Sequence, residues 1–166
     1  MTTTPDPVNE SLLKFAQKNN TSGIRELITL RSVPASYGNC IGQTALHIAA
    51  LWGNVESVNV LIELGANINA ANSLMGSTPL HTCFLSFKTT ADIQETIVNI
   101  LLDAGADAGI EDLNKRCPVF YVPTDHPNRG VLVQKLKPPK RDAKKTSLND
   151  LLSAQPYCSL ASAGPA

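Results

Sequence analysis

The sequence predicts an all-α solenoid of about four short helix-pair repeats, with degenerate repeats at both ends. Three observations predict it. Residues 42–69 (GQTALHIAALWGNVESVNVLIELGANIN) read as two short apolar helices, near 44–52 and 56–64. Each is closed by a glycine, Gly53 and Gly65, at the point where a helix ends on a left-handed residue that only glycine adopts without steric penalty. The stretch also recurs: Thr78-Pro79-Leu80-His81 repeats Thr44-Ala45-Leu46-His47 34 positions later, and the segment from Leu101 to Asp107 repeats the one from Leu61 to Asn67. A single pair this small cannot bury its apolar face, so the copies must stack.

Taken in order, residues 1–7 (MTTTPDP) form a flexible leader in which Pro5 and Pro7 keep helix away. They carry neither the basic nor the apolar region of a secretory signal. The first copy, 8–38, has one apolar stripe (Leu12, Leu13, Phe15, Ala16), an NNTSG turn and a second stripe (Ile24, Leu27, Ile28). Ala16 and Ile24 align with Ala50 and Val58. The copy lacks the T-x-L-H start, and Lys14, Gln17 and Lys18 give it the polar outer face of a terminal cap.

In the second copy, 39–71, Thr44 is placed to cap its helix by accepting an amide bond. Val58, Leu61 and Ile62 fall on one helical face. The third copy, 72–111, starts with Pro79 at the first helical position, where its missing amide is harmless. From Thr78 to Ala106 is 29 residues, against 23 from Thr44 to Ala66. The six extra residues belong between the helices, around 87–92, as a long loop or an extended helix. A functional insertion and a tolerated surface insertion both fit.

In the fourth copy, 112–137, Arg116-Cys117-Pro118-Val119-Phe120 replaces the T-P-L-H start, and Pro123 and Pro127 interrupt a first helix. Val131, Leu132, Val133 and Leu136 make a short second helix or a packed extended segment, completing a C-terminal cap. Residues 138–166, with Pro138, Pro139, Pro156 and many Ser, Ala and Lys, read as a disordered tail in which 147–154 could form a partner-induced helical turn.

The period and the T-P-L-H start resemble the ankyrin-repeat family. That resemblance implies a β-turn finger ahead of each antiparallel helix pair, with the histidine of T-x-L-H tying the fingers by hydrogen bonds. It also implies a concave protein-binding face made of finger tips and the exposed side of each first helix. The matching positions are Cys40, Ile41, Gln43, Leu51 and Trp52 in the second copy. In the third they are Ala71, Ser73, Leu74, Ser77, Leu85 and Ser86, with Met75 as one extra finger residue. In the fourth they are Glu111, Leu113, Asn114 and Arg116. Ile41, Leu51, Trp52, Leu74, Met75 and Leu85 are large and apolar, the composition of a partner site, although Leu51 and Trp52 could instead pack on a neighbouring finger. The stretch ending at Asn69 also resembles the site of the asparaginyl hydroxylase that modifies ankyrin repeats. Leu61 and Ile68 match that pattern and Asn67 departs from its acidic preference. The alternative is that Asn69 holds its own turn.

The remaining features narrow the function classes. The chain has 166 residues, 43% hydrophobic and 17% charged, which suits one globular domain. No apolar run reaches the length of a membrane span. Cys40, Cys83, Cys117 and Cys158 include no C-x-x-C pair, so free thiols in a reducing, intracellular compartment are expected. His47 and His81 have no nucleophile or carboxylate at a catalytic spacing, and His126 stands alone. No phosphate-binding glycine loop or metal motif is present, so neither a catalytic site nor a cofactor is expected. The net charge is zero but polarised, −6 over residues 1–114 and +6 over 115–166. Lys140, Arg141, Lys144 and Lys145 belong to a basic run that reads as a solvated tail, a nuclear-import signal or a nucleic-acid contact. The function expected is a non-enzymatic adaptor, monomeric and cytoplasmic or nuclear, that binds another protein. The alternatives are a nuclear or nucleic-acid adaptor working through the tail, and a targeting fragment of a larger enzyme.

Overall fold

The computed structural model describes residues 7–86 and 89–137. These residues form seven α-helices and one 3-10 helix, with no strand beyond a bridge between Gly38 and Thr44. The pairs are α1 (Pro7–Gln17) with α2 (Thr21–Thr29), α3 (Ala45–Trp52) with α4 (Val55–Glu63), α5 (Pro79–Thr82) with α6 (Ala91–Asp103), and the 3-10 helix Pro118–Tyr121 with α7 (Arg129–Lys135). Helix α3 packs between α1 and α5, α4 packs between α2 and α6, and α5 packs on the 3-10 helix. The first helices therefore make one layer and the second helices another. Between them lies a single core that runs from Leu12 to Leu136. Ala16, Ala45, Ala49 and Ala50 are fully buried. Their small side chains let the first-helix layer close tightly, while Leu46, Leu61, Leu80, Ile97 and Leu101 fill the space beneath.

Several expectations change. Helix α1 opens on Pro7, the last residue of the expected leader; proline is tolerated at a first helical position because that amide needs no partner. The first turn is shorter than NNTSG, since α2 already begins at Thr21, where Asn20 Oδ1 accepts a bond from the Gly23 amide at 2.9 Å. Gly23 lies under the Phe15 ring, where a Cβ would stand 2.6 Å from a ring carbon. The insertion in the third copy both lengthens the connection and extends a helix: α5 stops at Thr82, while α6 runs 13 residues against 9 for α4. Thr89 and Ile93 from this region lie over Gly53, the left-handed end of α3 (φ 74°). In the fourth copy the proline-interrupted first helix shrinks to a 3-10 turn, and the second forms as α7.

Polar side chains stitch neighbouring copies together. Asn54 Nδ2 donates to the Ala16 and Gln17 carbonyls at 2.7 and 2.9 Å, satisfying the end of α1 from the next copy. Asn19 Oδ1 accepts from the Ser57 amide and hydroxyl at 3.1 and 2.8 Å. Asn128 donates to Glu95 at 2.6 Å, and Lys135 donates to Asn99 at 2.7 Å. The Arg25–Glu63 pair, 2.6 Å apart, is half exposed and contributes little. Residues 1–6, Phe87 and Lys88, and the whole tail 138–166, including Lys140, Arg141, Lys144, Lys145 and Cys158, lie outside the described residues.

Candidate partner-binding surface

Copies two to four each open with a finger started by an Asx residue. Asn39 Oδ1 accepts from the Ile41 and Gln43 amides at 3.1 and 3.0 Å, and Asn72 Oδ1 accepts from the Met75 amide at 2.8 Å. Asp112 Oδ1 accepts from the Asn114 and Arg116 amides at 2.8 and 3.0 Å. Each finger is closed by a backbone bond from that Asx amide, to the carbonyl of Gln43, Ser77 or Arg116, all at 3.0 Å. The middle finger spans one residue more than the others, which is the insertion expected at Met75.

Near each tip one residue is left-handed: Gly42 at φ 71°, Gly76 at 68° and Lys115 at 59°. The fingers then stack through their backbones. Ser73 N–H donates to the Ile41 carbonyl at 2.9 Å, and Leu113 N–H to the Met75 carbonyl at 2.8 Å. A Cβ on Gly42 would stand 3.0 Å from the Ser73 nitrogen, and one on Gly76 3.1 Å from the Leu113 nitrogen. At these two positions glycine answers both the backbone angle and the approach of the next finger.

The two histidines lock this stack. His47 Nδ1 lies 3.2 Å from the Thr44 amide and 2.9 Å from its hydroxyl, a reciprocal capping pair that confirms Thr44 as the helix cap. His47 Nε2–H donates to the Ser77 carbonyl of the next finger at 2.9 Å. His81 repeats the arrangement with Thr78 and, at 3.1 Å, with the Arg116 carbonyl. Both rings are buried, and burial is the main cause that holds their pKa below the ordinary histidine value, outweighing the carbonyl bonds that favour charge. Because the Thr44 and Thr78 amides donate to Nδ1, that nitrogen carries no proton, and each ring is the neutral tautomer with Nε2 donating.

At the last finger Tyr121 donates its hydroxyl to Asp112 Oδ2, and its ring meets His81 edge-on at 5.7 Å. Burial opposes the Asp112 charge, but the bonds from Tyr121, Arg116 and Asn114 outweigh it and hold the carboxyl below its usual range. The same bond raises the Tyr121 pKa.

The predicted surface residues are only partly brought together. Ile41, Gln43 and Met75 are half-buried on the fingers, where Ser73 and Arg116 are exposed. Leu74 is 63% exposed, Leu113 70%, and Trp52 at the end of α3 39%. Leu51, Leu85 and Ser86 are half-buried. Ser77 does not belong to the surface. It is 1% exposed, because its carbonyl is the His47 acceptor and holds it at the finger base. Phe120, 71% exposed, was missed. Its register with His81 was visible, but not that its side chain is left in the open.

Asn69 ties copies together rather than its own finger. Its Oδ1 accepts from the Asp107 amide at 2.9 Å, and its Nδ2 donates to the Gly105 carbonyl at 3.3 Å. Cys83 is buried, bonded to the Leu80 carbonyl, and burial drives its thiol pKa far up, so it is no nucleophile. Among the described residues Cys40, Cys83 and Cys117 form no disulfide, no group of side chains is arranged to hold a metal ion, and no helix is long and apolar enough to cross a membrane.

Comparison with known proteins agrees with this geometry. The model for ankyrin repeats in three copies matches residues 12–112. The chain is 30% identical over 129 residues to the inactive serine/threonine-protein kinase TEX14 of Mus musculus, covering 78% of this chain and 8% of that protein. It is 32% identical over 114 residues to the E3 ubiquitin-protein ligase KEG of Arabidopsis thaliana, covering 65% and 7%. It is 32% identical over 119 residues to NF-kappa-B inhibitor zeta of Bos taurus, covering 70% and 16%. The matches thus span only a small part of each of these relatives.

Proposed function

The chain belongs to the ankyrin-repeat family, and from that premise we propose that it is a non-enzymatic module that binds a partner protein through the concave face of its stack. The observation that carries this reading is the exposure of large apolar side chains: Leu74 and Leu113 at the finger tips with Met75 and Ile41 half-buried on the same fingers, and Trp52, 39% exposed, at the far end of α3. Large apolar side chains held outward by a finger stack tied through its backbone are what a partner site requires. Repeats of this family are generally protein-interaction modules, which supports the reading. We place its action inside the cell, as a monomer.

The test is the pair Trp52→Ala with Leu74→Ser, compared with wild type in affinity capture from cell extract. A set of proteins captured by wild type and lost from the double variant, with helical circular dichroism and melting unchanged, supports the site. Unfolding of the double variant means the side chains are core, and unchanged capture means they are idle; either result removes it. Nucleic-acid binding through the basic tail is the competing reading. Salt separates the two, since phosphate contacts weaken steeply with ionic strength and an apolar site does not.

A further inference from the structure

The repeat geometry marks a second site, at the trailing edge of the fourth finger. In the second and third copies, three features meet the next finger. The tip carbonyl (Ile41, Met75) accepts its amide, the left-handed glycine (Gly42, Gly76) makes room for its backbone, and the histidine (His47, His81) grips its closing carbonyl. The equivalent residues of the fourth copy are Asn114, Lys115 and Phe120.

Two of these depart from the pattern in ways that internal stability does not explain. Lys115 keeps the left-handed angle at which a side chain is disfavoured, φ 59°, yet its side chain is 83% exposed and makes one loose ion pair, 4.0 Å from Glu111. Phe120 replaces a buried, doubly bonded histidine with an aromatic ring exposed to 71%. On the finger itself Lys115 and Arg116 are exposed, while the Asp112 carboxylate is taken up by Tyr121 and by the Asn114 and Arg116 amides, which leaves Glu111 as the exposed acid beside two bases.

We propose that this edge docks an extended, acidic segment of a partner protein, taken up in the way each finger takes up the next. The segment's backbone amide bonds the Asn114 carbonyl, a carboxylate meets Lys115, and an apolar side chain covers Phe120. This is strand-style addition to a stack that already grows by backbone bonds, with specificity from one charge and one anchor. The bond that each finger makes to the next calls for an N–H donor, which a peptide backbone carries and a phosphate backbone does not, and this favours a peptide over nucleic acid. The edge shares the fourth finger with the concave row, but Lys115 and Phe120 belong to the edge alone and Trp52 and Leu74 to the row alone, so the two can fail separately.

The experiment selects binders to the full chain from a random dodecapeptide phage library, then measures one enriched peptide by fluorescence anisotropy. The expected peptides carry Asp or Glu close to an aromatic or aliphatic residue. Their affinity should fall at least tenfold in Phe120→Ser and in Lys115→Gly, less than twofold in Trp52→Ala, and should weaken with salt. Lys115→Gly relieves the left-handed strain, so its melting temperature should not drop, and lost binding there is not lost folding. The proposal is overturned if no peptide is enriched, if enriched peptides lack carboxylates, or if they depend on Trp52 and not on Lys115. It also falls if a labelled 20-mer single-stranded DNA binds tighter at the same residues. Deletion of 138–166 that raises peptide affinity would make the tail the occupant, and self-association abolished by Phe120→Ser would make it a second copy; either overturns the proposal.

Discussion

Replacing His47 with alanine tests the account of the stack most directly. The ring is 1% exposed and joins two copies, with Nδ1 serving the Thr44 amide and Nε2 the Ser77 carbonyl. Thr44 and Ser77 are themselves buried, so water does not readily replace the ring. Alanine orphans the Thr44 amide, at about 1–3 kcal/mol, and removes one of two bonds to the Ser77 carbonyl, which keeps the Asn72 amide, at about 0.5–1.5 kcal/mol, so the loss is about 1.5–4.5 kcal/mol. Against a domain stability of about 5–15 kcal/mol, that is a large share. His126→Ala is the control. It is also buried, but among the described residues its Nδ1 accepts only the Asn128 amide and its Nε2 has no partner, so the loss should be about 1 kcal/mol plus packing.

The same ring sets a pH dependence. His47 and His81 have folded pKa values below the ordinary 6.5, so between the two values the unfolded chain binds more protons. Stability is then full above about pH 6.5 and falls as the pH drops through 6.5 toward the folded pKa. Urea melts at pH 7.5 and 5.5 read this above the carboxylate range, where Asp112 does not contribute. Wild type should lose stability at pH 5.5, and His47→Ala should lose less. A His47→Ala variant within 1 kcal/mol of wild type at pH 7.5, or a wild type equally stable at both pH values, would refute the locking role.

Other substitutions probe neighbouring features. Gly76→Ala adds a Cβ at φ 68° and 3.1 Å from the Leu113 backbone, so it should lower stability by about 1–2 kcal/mol from the angle alone and more from the contact, measured by thermal melting. Tyr121→Phe removes the hydroxyl that holds the Asp112 carboxylate; stability should fall by about 1.5–3 kcal/mol at neutral pH, and the Asp112 pKa should rise in NMR titration. Asn69→Ala breaks bonds to Gly105 and Asp107 and should lower stability by about 1–2 kcal/mol in urea melts. Intact mass after co-expression with an asparaginyl hydroxylase tests Asn69 as a modification site: one added oxygen mapped to it supports the site, and none beside a modified control protein removes it.

Much of this architecture was legible in the chain because its determinants are local. Thr44 and Thr78 cap helices through a residue three positions on. Gly53 is left-handed as its helix-end position required. Length alone located the insertion in the third copy, although not that it would divide between a connection and a longer α6. The site was less legible. Ser77 looked like a surface residue by register, and only the reach of His47 from 30 positions away shows that it is the finger base. Asn69 looked like a turn residue, and its partners lie 36 and 38 positions on.

The sequence by itself determined the repeat, the helix pairs and the residues that begin and end them, since hydrophobic period, caps and left-handed glycines act within a few residues. The tertiary structure alone decided which members of one register are buried. His81 and Phe120 occupy the same place in successive copies, as do Gly76 and Lys115. One of each pair is closed over by the following finger and the other faces outward. Burial in a stack is a property of the neighbour, and that neighbour lies a whole repeat away along the chain.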